Sequence, residues 1–294
     1  MTPWARSGAF AATIFAVGLL GAVSPILLRE RRGAHRERLL SLGSVFGAGV
    51  FLSAGFVHML ADAAQDLDGG GYPWAMLVCS AALLALMLFE NAVKPRPDPD
   101  ARPLGGRAAA RASGDGEGEG EGEGVRLAET SEGAKRADRL PGDPCTAALM
   151  FGALSFHSFV AGLSLGASPA RVAVFVAIVA HKGFASFALG TRFVQTRGAG
   201  RRGAPALSAG AVAAWMALFA LVTPAGVLAG TALRGAGAGS KAAAHLTAAA
   251  AGTFIYVALA EVALPEFAKP GDARAKALFL LLGYAGMSAL AIWV

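Results

Sequence analysis

Two stretches, FHSFVAGLSLGAS (156–168) and AHKGFASFALG (180–190), decide how this sequence is read. Both are apolar enough to lie in a membrane, yet each holds a histidine, and the second adds Lys182. Ionisable side chains at membrane depth are costly and usually line a pathway or meet a partner. His157 stands twelve residues before Pro169, and His181 twelve after it. At about 1.5 Å rise per residue, both lie about 18 Å below the surface marked by that proline, near the bilayer midplane. A turn of three or four residues around Pro169 makes the two helices antiparallel neighbours. The imidazoles meet at equal depth if their rotational phases agree. Imidazole is a common ligand for zinc, iron and other transition metals. A site at the midplane, open to each side in turn, is what a transporter needs.

The rest of the chain has the composition to match. Of its 294 residues 55% are hydrophobic, the mean hydropathy is +0.53, and charged residues make up only 16%. The charges fall almost wholly between long apolar blocks, the pattern of an all-α integral membrane protein. Eight transmembrane helices are predicted, at about 7–28, 39–63, 73–93, 146–167, 171–193, 205–233, 241–263 and 273–294. The first block is expected to remain as a span rather than be cleaved as a signal. A net charge of +6 and a pI near 9.7 could suggest nucleic acid, but the basic residues flank the spans. They are read as topology signals, with the lipid bilayer as partner and no nucleic acid. Cys79 and Cys145 give neither a disulfide framework nor a CxxC zinc pattern. The pairs Gly162/Gly166 and Gly226/Gly230 permit close helix contact, although glycine is abundant throughout.

Lys and Arg set the orientation. Twenty-one of the 26 basic residues fall in the loops after spans one, three, five and seven; four (Arg6, Arg171, Arg234 and Lys241) fall on the other side. Those loops are therefore expected in the cytoplasm and both termini outside. Residues 94–144 contain KPRPDPDARP and GDGEGEGEGEG, which cannot build a core, and are expected to be a disordered cytoplasmic loop. This divides the chain into 1–93 (helices one to three), 94–144, and 145–294 (helices four to eight).

Other polar residues mark a route through the membrane. Ser158 and Lys182 each adjoin a histidine, and Ser164 lies on the His157 face. Ser186 matches the His181 face less well. His58 and Asp62 share a face in the outer half of span two, while Glu90 and Asn91 end span three on the inner side. Glu261 and Glu266 flank Pro265 near the inner end of span seven, and His35 falls in a loop. Taken singly, most of these suit an interfacial residue facing water.

The chain resembles the ZIP (ZRT/IRT-like) transporters of divalent metal ions. HSFVAGLSLGAS is similar to their fourth-span signature and HKGFASFALG to their fifth. GAGVFLSAGFVHMLADA resembles their second span, TPAGVLAG their sixth and AGTFIYVALAEVALPEF their seventh. The resemblance implies a 3+2+3 arrangement of eight helices with an inverted repeat. It also implies transport of Zn2+, with Fe2+ next, toward the cytoplasm. His157, His181 and Ser158 would be metal ligands, and His58, Asp62, Lys182, Glu261 and Glu266 would line the pathway. The metal is cargo, and no permanently bound cofactor is expected.

Two departures stand out. Family members commonly carry a Glu four residues after one or both of these histidines; here the positions are Ala161 and Ala185. Lys182 stands where some members ligate a second metal. A non-transporting scaffold or metal sensor is thus the alternative. No HExxH or paired Asp motif is present, so an enzyme is not expected. A plasma membrane location is expected, with intracellular vesicles as the alternative. The oligomeric state stays open, a homodimer included.

A tag at residue 1 or 294 should be reached by antibody on intact cells, and protease acting from the cytoplasmic side should cut within 94–144. A tag that reacts only after permeabilisation would reverse the orientation.

Overall fold

The computed structural model describes residues 2–30, 34–67, 71–93, 144–167, 171–198, 208–233 and 240–292. The predicted loop 94–144 lies outside them, except for Pro144. All secondary structure among the described residues is helical, as expected where no water is at hand to satisfy backbone groups. The helices are α1 (Pro3–Glu30), α2 (Ala34–Ser53, Ala54–Met59 and Leu60–Leu67 in one rod), α3 (Trp74–Val93) and α4 (Pro144–Ala167). They continue with α5 (Arg171–Gly198), α6 (Ala209–Leu233), α7 (Ser240–Tyr256, Val257–Ala263 and Leu264–Ala268 in one rod) and α8 (Ala273–Leu290).

Seven of the described helices are long and apolar enough to cross a membrane on that measure alone. The remaining one, α8, carries Arg274 and Lys276 in its first turn but is otherwise apolar. Several helices outrun the predicted spans, because the backbone stays helical past the apolar stretch. Thus α2 begins at Ala34, which puts His35 at a helix start rather than in a loop, and α5 runs on to Gly198.

The helices sort into two bundles that do not follow the order of the chain. In one, α1 packs on α5 and α6, and α4 packs on α6 and α5; in the other, α2 packs on α8 and α7, and α3 on α7. The bundles meet mainly where α4 touches α7 and α2 touches α5. Exchanging α1 with α6, α2 with α7, α3 with α8 and α4 with α5 maps these contacts onto one another. The α1–α5 contact becomes α6–α4, α3–α7 becomes α8–α2, and α2–α5 becomes α7–α4. This is the packing signature of an inverted repeat.

Local irregularities obey the same exchange. Both α2 and α7 widen into a π-helical turn, Ala54–Met59 and Val257–Ala263. There the N–H groups of Leu60 and Leu264 reach back five residues, to the carbonyls of Gly55 and Leu259. Such turns insert an extra residue, shift the helical phase and are frequent at functional sites. Both α1 and α6 contain a proline, Pro25 and Pro224. Pro25 lacks the N–H that would reach Gly21, and Ser24 Oγ donates to that carbonyl instead at 2.8 Å.

Small residues set the helix separations. The two glycine pairs of α4 and α6 face each other: a Cβ on Gly162 would lie 2.3 Å from the Thr223 carbonyl oxygen, and one on Gly226 the same distance from that of Phe159. In lipid such contact replaces the hydrophobic drive that water would supply. Gly162→Val or Gly226→Val should destabilise the fold by about 3 kcal/mol, since backbone rather than a movable side chain occupies the space. Gly152→Ala, with nothing within 4 Å of its would-be Cβ, is the neutral control. Thermal unfolding in detergent, read as the monodisperse fraction against temperature, checks the pair.

Candidate metal site

The antiparallel α4 and α5 bring His157 and His181 together at the centre of the molecule, both buried. Their Nε2 atoms are 3.3 Å apart, so one ring donates and the other accepts. The predicted phase match is therefore met. Two nitrogens each about 2.0–2.1 Å from a tetrahedral zinc ion are themselves separated by about 3.3–3.4 Å. The pair already stands at that spacing, and an ion can replace the shared proton with little ring movement. Among the described residues no group of three or more His, Cys, Asp or Glu side chains comes together to hold a metal. Two imidazole nitrogens are what the described residues bring together there. Neither Nδ1 has a well-formed hydrogen bond, although the Ala177 carbonyl one turn back interacts with the His181 ring.

The opposite bundle supplies the other wall. Phe254, on α7 just before its π-helical turn, stacks on His157 with ring centroids 3.9 Å apart and planes 11° from parallel. It meets His181 edge-on at 5.8 Å. Sequence reasoning missed this residue, because a phenylalanine in an apolar span looks like any other core side chain.

Ser158 and Lys182 are both buried, on the side of α4 and α5 that faces α6. Lys182 Nζ donates to Ser158 Oγ at 3.1 Å and to the Phe219 carbonyl at 3.5 Å, and sits 3.9 Å from the centre of the Phe219 ring. In this arrangement the Ser158 oxygen serves the ammonium. Ser186 is fully buried, with its hydroxyl unpartnered, and Gly21 of α1 passes close to it. Ala185 is buried in the core, while Ala161 is partly exposed.

The remaining predicted residues lie on α2 and α7. His58 falls inside the first π-helical turn and its Nδ1 lies 3.2 Å from Asp62 Oδ2, so the two form the expected unit. His58 also lies within electrostatic reach of His157 and His181. Glu261 falls inside the second π-helical turn and is buried. Glu266, also buried, pairs with Lys269, while Lys276 donates to the carbonyls of Glu266 and Lys269 at 2.7 and 2.8 Å. Lys276 thereby caps the end of α7. Arg192 of α5 lies within electrostatic reach of both Glu261 and Glu266. Glu90 is buried and accepts a hydrogen bond from the Tyr256 hydroxyl of α7, so it is a packed group rather than one facing water.

The family model described as ZIP zinc transporter matches residues 8–291. The chain belongs to the ZIP family. Among its relatives, zinc transporter ZIP1 of Takifugu rubripes is 31% identical over 276 residues, covering 89% of this chain and 88% of that one. Human zinc transporter ZIP2 is 29% identical over 298 residues, with 89% and 88% covered. The likeness thus runs through all the helices that build the site.

Proposed function

We propose that this ZIP-family protein carries divalent transition metal ions, Zn2+ first and Fe2+ next, across the membrane into the cytoplasm. The observation that carries this reading is the 3.3 Å approach of two buried imidazole nitrogens. In it, His157 and His181 are the protein ligands, and water fills the remaining positions. Ser158, whose Oγ accepts from Lys182 through one lone pair, joins them through the other. The His58–Asp62 unit takes ions from the outer mouth, and Glu261 and Glu266 receive them toward the inner one. Because α4 and α5 belong to one bundle and Phe254 to the other, movement between bundles would open the site to each side in turn. The basic loops support an orientation with both termini outside. A plasma membrane location fits ion uptake.

The test is radiolabelled Zn2+ uptake by cells or liposomes, with Fe2+, Mn2+ and Cd2+ as competitors. Wild-type protein should admit Zn2+ faster than cells or liposomes that lack it. His157→Ala and His181→Ala should each lose most of the uptake, tenfold or more by order of magnitude, because removing one of two protein ligands leaves a single imidazole. Normal uptake by either variant at wild-type abundance would move the site elsewhere.

Ala161 and Ala185 favour the second reading, a scaffold or sensor that holds metal without moving it. They also give a further test. A residue four after a helical histidine sits one turn along the same face. Ala161→Glu should reach an ion held by the pair and tighten apparent Zn2+ affinity about tenfold, or about 1.4 kcal/mol. Slower release would lower the maximal rate at the same time. The competing outcome is capture of the new carboxylate by Lys182, and the double variant Ala161→Glu with Lys182→Gln separates the two. Unchanged affinity in both, with folding intact, would sink the assignment.

A further inference from the structure

Lys182 has the surroundings of a held group rather than a solvated one. It is 2% exposed, and among the described residues no carboxylate forms an ion pair with it. Its ammonium meets one hydroxyl, one carbonyl and one aromatic face. The face and the carbonyl both belong to Phe219 of α6. On the α1 side Gly18 leaves room for the lysine stem: a Cβ there would lie 3.4 Å from Lys182 Cε. The ring itself is fixed. Phe219 is fully buried, and its neighbour Phe151 lies 6.3 Å away between centroids. Phe151 in turn meets Trp215 edge-on at 5.0 Å and Phe193 at 6.5 Å. An aromatic cluster from α4, α5 and α6 therefore stands behind the ammonium.

We propose that Phe219 is a positioning residue that holds the Lys182 ammonium on the α6 side of the histidine pair. The proposal rests on the metal-site reading above. A cation over a desolvated ring face is attracted by the ring quadrupole. The lysine stem is long and has four rotatable bonds, so an unheld ammonium could swing toward the pair next to it in sequence. There it would repel an incoming divalent ion. With the ring in place the positive charge stays at one distance, and the site keeps the affinity that distance allows. The metal ligands alone would not reveal this residue, because Phe219 touches neither histidine in any ring contact of the described residues.

Ring fluorination separates electrostatics from packing, since fluorine drains the quadrupole with little change in shape. Phenylalanine carrying one, two or three ring fluorines is placed at 219 in the full chain. Apparent Zn2+ affinity should weaken stepwise, by about fivefold at three fluorines, equivalent to ~1 kcal/mol. Metal-free thermal stability should fall along the same series. In a Lys182→Met background that stability series should be flat, because no ammonium remains for the ring to hold. A flat series with Lys182 present, or a slope that persists in Lys182→Met, overturns the contact. A stability slope without any change in Zn2+ affinity overturns the positioning role. Failure of the transport reading would show separately, as wild-type protein that takes up no Zn2+.

Discussion

One buried lysine, Lys182, ties together the bundle that carries the histidine pair. An unpaired charge in low dielectric is among the costliest features a fold can hold. Lys182 meets that cost with contacts to α4 and α6, while α1 leaves room for its stem. Its own helix, α5, presents His181 one residue earlier. The Lys182 contacts therefore tie α5 to α4 and α6 beside the histidine pair. The same contact takes up the hydroxyl of Ser158, the residue beside the other histidine. Ligand geometry and lysine solvation are one problem here.

The second bundle packs Phe254 against the histidine pair and carries the acidic groups of α2 and α7. Its two π-helical turns are related by the exchange that relates the halves of the fold, and each displaces an ionisable residue: His58 in α2, Glu261 in α7. The turns lie against each other's helices; a Cβ on Gly55 would come within 2.8 Å of Ile255. A widened turn leaves the backbone ladder locally looser. The fixed imidazoles stay on regular helix.

Much of this was legible in the sequence because the membrane makes few alternatives available. Long apolar blocks must be helices, so their number and approximate limits followed from composition. The equal distance of His157 and His181 from Pro169 put them at one depth, and the short turn made them neighbours. His58 and Asp62 met because four residues complete about one turn. Interhelical partners were harder. Nothing local distinguishes Phe254 or Phe219 from the other phenylalanines, since their roles depend on which helix lies opposite. The division into bundles was likewise hidden, because 1–93 and 145–294 follow the chain whereas packing pairs α1 with α5 and α3 with α7. The π-helical turns carry no residue signature, and Glu90 seemed to face water because its partner, Tyr256, lies far along the chain.

The charge balance explains how a site without carboxylates can still suit a carrier. A divalent ion and a unit positive charge at an illustrative separation of about 6 Å repel by about 5–6 kcal/mol at an effective dielectric of about 20. Under the transport reading, two imidazoles do not offset that alone, and an ion between them keeps part of its water and leans on the acidic groups beyond. Asp62 supplies one on α2 and Glu261 another on α7. Under the transport reading this arrangement makes the centre a shallow stop between two more attractive ends. A deep well would hold the ion; a shallow one lets it go. The alanines at 161 and 185 and the lysine at 182 then act in the same direction, each limiting how long an ion stays at the midplane.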